Sequence, residues 1–163
     1  MSYFAAALSR TDAGWTGREL ELADSNLETV ADELRDLTDG PGPSLLLLEE
    51  EDEYVGIVRV DGDASSMAEP RVFLSDRRAV QTSDLAALLW QDADPVDDDE
   101  AEDESIRPVA EPVGDTDILA DLGTPAEALL GLCAEEGLLP ADVLTTVCER
   151  AGCADVLENL REG

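Results

Sequence analysis

The chain has 163 residues and a mass of 17.4 kDa, with 40 acids against 10 bases, a formal net charge of −30 and a pI near 4.1. All ten bases are arginine, and the sequence holds neither histidine nor lysine. Such a chain repels nucleic-acid phosphates and anionic membrane leaflets, and it lacks the residues for Ser-His-Asp, Cys-His, phosphate-loop lysine or Schiff-base chemistry.

In chain order, Tyr3 to Leu8 reads as a strand, followed by the turn residues Thr11-Asp12-Ala13-Gly14. The stretch Trp15 to Leu22 alternates at its end, Leu20 and Leu22 against Glu19 and Glu21, and forms the second arm of a hairpin. Leu27, Val30, Ala31, Leu34 and Leu37 recur at helical spacing, and Gly40-Pro41-Gly42-Pro43 ends that helix. Leu45-Leu46-Leu47-Leu48 is apolar at every position, as a strand covered on both faces would be. Beyond an acidic turn over 49–53, the β-branched stretch Tyr54 to Val60 is its hairpin partner. Residues 61–70 read as a loop, Arg71 to Leu74 as a short fifth strand, and Ser83 as the cap of a helix with Leu85, Leu88 and Leu89 inward. This order predicts an α+β fold: a small mixed or antiparallel sheet of about five strands, with two helices on one face.

Residues 91–117 carry 12 acids against Arg107 alone, including the run Asp97-Asp98-Asp99-Glu100-Ala101-Glu102-Asp103-Glu104, followed by Pro108 and Pro112. A segment of this composition cannot bury enough apolar surface to offset its ordering entropy. It reads as a disordered acidic linker between a sheet domain, 1–90, and a helical C-terminal subdomain, 118–163. In the latter, Thr124-Pro125-Ala126-Glu127 reads as a capping box and Gly137 as a stop. Pro140 opens a second helix with Val143, Leu144, Val147 and Cys148 on one face; Gly152 stops it; Val156, Leu157 and Leu160 mark a third. Three short helices in about 46 residues make a marginal core, so the subdomain is expected to dock on the sheet or on a partner.

Motifs that carry chemistry are not found. Gly40 and Gly42 lack the third glycine of a dinucleotide loop and lie between a helix and a strand, the reverse of the required order. Cys133, Cys148 and Cys153 have no paired zinc-ligand spacing, and Cys133 and Cys148 read as small core-facing hydrophobes. Asp61, Asp63 and Ser65 begin like a calcium loop, but its sixth position is Ser66 and its twelfth Val72. Forty acids make carboxylate pairs inevitable by chance, so glycosidase-like pairing is uninformative. No catalytic residue, cofactor or metal site is therefore expected. The chain offers no positive region before its apolar start and no stretch near 20 apolar residues, which together point to the cytoplasm.

What the charge does favour is a basic protein surface, because opposite fields speed encounter. Asp97, Asp98, Asp99, Glu100, Glu102, Asp103 and Glu104 are the candidate contacts, with Trp15 and Trp90 as conceivable anchors. The competing readings are that the charge serves solubility or salt adaptation, and that the acidic run is a solvated spacer.

Several blocks resemble the tRNA adenosine deaminase-associated proteins: Met1 to Leu8 with Trp15, Tyr54 to Asp63, Arg71 to Asp76, Asp121 to Pro125, Leu132 to Gly137, Leu139 to Leu144, and Cys148 to Cys153. The resemblance spans nearly the whole chain except the acidic middle. It implies a small bacterial companion of the deaminase, with no catalytic residues to carry over. The deaminase itself needs His-x-Glu and Pro-Cys-x-x-Cys zinc ligands, and neither occurs here. The expectation is a non-enzymatic accessory or regulatory partner, with tRNA adenosine deaminase as the basic partner the resemblance implies. The alternative is a free-standing acidic cytoplasmic protein with no deaminase contact. Oligomeric state is not encoded legibly.

Overall fold

The computed structural model describes residues 3–11, 14–21, 26–37, 43–50, 54–61, 71–76, 79, 83–89, 112–134 and 139–162. Its strands are β1 (Tyr3–Thr11), β2 (Gly14–Glu19), β3 (Pro43–Glu50), β4 (Tyr54–Asp61), β5 (Arg71–Leu74) and β6 (Val113–Gly114). The helices are α1 (Leu27–Leu37), α2 (Asp84–Leu89), α3 (Ala126–Ala134), α4 (Pro140–Ala151) and α5 (Ala154–Glu162), with a 3₁₀ turn over Ala120–Leu122. The strands form one sheet in the order β2-β1-β3-β4-β5-β6, every neighbouring pair antiparallel.

The side-chain period of two sorts the sheet into two faces. Across one row, Ala6 pairs with Leu47, Leu47 with Ile57 and Ile57 with Phe73. These four share a buried cluster with Ile118, Leu129, Leu144 and Leu157 of the C-terminal segment. On the opposite face, Ala7, Leu46 and Val58 pack with Val30, Ala31 and Leu34 of α1 and Ala86 of α2. The apolar run Leu45–Leu48 is thus covered on both sides, as its composition predicts.

The two helices expected on one face, α1 and α2, are there, and the C-terminal helices α3 to α5 dock on the other as a third layer. A marginal three-helix core gains its burial by sharing the sheet's second apolar face.

The chain also re-enters the fold earlier than the composition suggests. Asp115 N–H donates to the Val72 carbonyl at 2.9 Å, and Val113 and Gly114 pair with Leu74 and Phe73, all within the stretch read as linker. Gly114 has φ +103°, and a Cβ there would overlap the Val72 carbonyl oxygen, so only glycine lets this strand lie against β5. The expected capping box at Thr124 is not made. α3 starts at Ala126 with Leu129 N–H bonded to Pro125 C=O, while the Thr124 hydroxyl is buried without a hydrogen-bond partner. Gly137, the expected stop of that helix, and Trp90 lie outside the described residues.

Candidate partner interface

Asp97, Asp98, Asp99, Glu100, Glu102, Asp103 and Glu104 lie outside the described residues. What the structure does show is how the two ends of the chain that carries them are fastened. The N-terminal end leaves from α2, whose cap is Ser83. The Ser83 hydroxyl accepts from Leu85 N–H at 3.2 Å and from Ala86 N–H at 3.3 Å, and donates to Glu50 Oε1. Tyr54 OH donates to the same Glu50 oxygen at 2.9 Å. Glu50, Tyr54 and Ser83 are all buried. A serine beside a carboxylate invites a nucleophile reading, but these groups are enclosed and spend their bonds on one another and on the helix cap. Their work is to pin α2 to the β3–β4 hairpin. Glu50 was expected in the acidic turn over 49–53; it closes β3 instead, because β3 extends through its register with Tyr54.

The C-terminal end is held by two arginines. Arg59 on β4 and Arg71 on β5 are register partners, and like charges directly opposite destabilise a sheet unless neutralised. Two aspartates of the returning chain do so. Arg59 forks onto Asp121 at 2.6 and 2.9 Å and donates to Ile118 C=O at 2.8 Å; Arg71 Nε donates to Asp115 at 2.5 Å. Arg59 is the sole charge in an otherwise apolar strand stretch, Tyr54 to Val60. That isolation was the signal in the sequence that it would need a carboxylate; the partner, 62 residues away, carried no such signal.

Hydrogen bonds from Arg71 hold the Asp115 carboxyl below its ordinary value of 3.8, and hydrogen bonds from Arg59 do the same for Asp121. Both contribute stability that is present above the unfolded value and lost as pH falls through the depressed folded value. Repulsion within a −30 chain runs the other way, easing as carboxylates protonate from neutral pH downward. The Asp121 side chain is 63% exposed against 6% for Arg59, so solvent screens the carboxylate and its share is modest. Urea midpoints measured from pH 7 to pH 2 should therefore fall below about pH 4 in the parent. In the Asp115→Asn/Asp121→Asn protein that acid limb is shallower; equal limbs would remove the clamp from the pH response.

Four further arginines among the described residues also have partners within the chain. Arg18 pairs with Glu33 at 2.7 Å, Arg35 with Asp32 at 3.1 Å, Arg161 with Glu49, and Arg150 donates to Gly123 C=O at 3.3 Å. Glu28 and Asp36 on α1, Glu127 on α3, Glu149 on α4 and Glu158 on α5 face solvent. These cations find partners within the chain, at the surface as well as below it, while several helix carboxylates face solvent. Trp15 is likewise internal: half-buried, its indole N–H donates to Ala151 C=O at 3.2 Å, which removes it as an exposed anchor. Cys148 and Cys153 are buried, Cys133 packs against the same core, and burial pushes the Cys133 thiol up to about 11. No group of three metal-ligating side chains is found among the described residues, and no helix there is long and apolar enough to cross a membrane.

Compared with known families, residues 3–154 match the sequence model described as Rv3753c-like tRNA adenosine deaminase-associated protein. No curated protein and no solved structure matches the chain.

Proposed function

Because the chain belongs to the Rv3753c-like tRNA adenosine deaminase-associated protein family, we propose that it acts as a non-enzymatic cytoplasmic partner that binds a basic protein surface, that of a tRNA adenosine deaminase. The observation that supports this reading is the charge balance: −30 overall, with several of the few arginines paired within the chain and several helix carboxylates exposed. An enzyme that handles tRNA must present cations to phosphates, and an acidic body complements that surface. Asp97 to Glu104 are the proposed contact. Both flanks of this run are anchored on one folded body, at α2 and at β6.

Binding of the purified chain to purified tRNA adenosine deaminase, measured across a salt series, tests the reading. A complex should form at about 50 mM salt and weaken steeply as the Debye length shrinks from roughly 14 Å toward 8 Å at 0.15 M. Absence of a complex at the low-salt end would sink it and leave the free-standing acidic protein as the surviving account.

A further inference from the structure

The corner between α4 and α5 contains two buried thiols in contact. Gly152, at φ +92°, reverses the chain there, and both Gly152 N–H and Cys153 N–H donate to the Cys148 carbonyl at 2.8 Å. This is the glycine-terminated helix end that sets the third residue before the cap beside the second residue after it, a place usually filled by a hydrophobic contact. Here both positions are cysteine, each about 1% exposed and both in the same buried cluster. Cys153 also heads α5, since Leu157 N–H donates to its carbonyl at 3.1 Å. A thiolate at that helix start gains from the N-terminal dipole.

We propose that Cys148 and Cys153 are a reversible dithiol–disulfide pair that locks the α4–α5 corner in response to a small disulfide oxidant. The Cys153 thiolate attacks one sulfur of a low-molecular-weight disulfide such as oxidised glutathione; that S–S bond breaks and one thiol leaves. Cys148 then gives up its proton and attacks the Cys153 sulfur of the mixed disulfide, releasing the second thiol. Two protein S–H groups and one small disulfide thus become one protein disulfide and two small thiols. The division of roles agrees with the direction in which each thiol is pushed: Cys153 below its ordinary value by its neighbour Cys148, and Cys148 above it by Cys153 and by burial. Cys133, half-buried, has no thiol partner within this corner and takes no part. The corner matters to the fold because the chain around it holds β2: Trp15 bonds to Ala151, and Val156 packs against Gly17.

The test is equilibration of the full chain in glutathione redox buffers, natively and in urea, followed by thiol counting and peptide mass mapping. In native buffer the titre should fall from three thiols to one, with Cys148 linked to Cys153. The linkage should form at least tenfold more readily in the native state than in urea. By the thermodynamic cycle the disulfide then stabilises the fold by the same factor, about 1.4 kcal/mol, read as a raised urea midpoint. In the Cys148→Ser protein the reaction should stop at a glutathione adduct on Cys153. A native linkage no more favourable than in urea, or a native titre that stays at three, overturns the proposal and leaves the thiols as packing groups. An adduct on Cys148 in the Cys153→Ser protein that forms as fast as that on Cys153 would overturn the assignment of the attacking sulfur.

Discussion

Truncating Leu144 to alanine should lower the unfolding free energy by about 2–5 kcal/mol and do so in a single transition that takes the sheet with it. Leu144 is fully buried, and its cluster includes Leu45, Leu47, Ile57 and Phe73 from three strands. An autonomous helical subdomain would instead lose its own signal first and leave the sheet intact. Urea unfolding followed by amide exchange distinguishes the two, because protection at Leu47 and Ile57 falls together with that at Val147 only when both layers share one core. The exposed Leu139 at the start of α4 is the control. Its truncation should stay within about 0.5 kcal/mol of the parent. Two transitions in the Leu144→Ala protein would support a division of the chain near residue 118.

Why the helical layer could not be placed from sequence follows from the same residues. Local patterns found the strands β1 to β5 and all five helices, since each pattern is complete within a dozen residues. It also showed that Leu45–Leu48 needed cover on both faces, yet the identity of the second cover is a long-range fact. β6 escaped because a two-residue strand has no period, and because it sits beside a charge block that dominates the local composition. Arg59 announced a need without naming a partner. The thiol pair was hidden for a related reason: Cys148 and Cys153 are five apart, a spacing that is distant on a straight helix and adjacent only when Gly152 turns the chain. The sequence blocks that resemble the family were legible, and the family match over residues 3–154 bears them out. Composition could not show that α2 and β6, on either side of the seven acids, belong to one folded body.

Neutralising the seven acids from Asp97 to Glu104 should have the largest functional effect. The protein with Asp97→Asn, Asp98→Asn, Asp99→Asn, Glu100→Gln, Glu102→Gln, Asp103→Asn and Glu104→Gln should bind the deaminase at least tenfold more weakly at about 50 mM salt. Its salt dependence should be flatter, and most of the loss should lie in the association rate, where steering acts. Its urea midpoint should match the parent's, because the fasteners at both flanks, Ser83 with Glu50 and Arg71 with Asp115, are untouched. A second protein neutralised at exposed helix acids, Glu28, Asp36, Glu149 and Glu158, separates local contact from bulk charge. If the run from Asp97 to Glu104 touches the partner, its loss per charge exceeds that of the helix set. Equal loss per charge would mean that the whole body steers the encounter and that the run is one part of a general field. No loss in either protein, with a complex still formed, would place the contact on uncharged surface and remove charge as the basis of recognition.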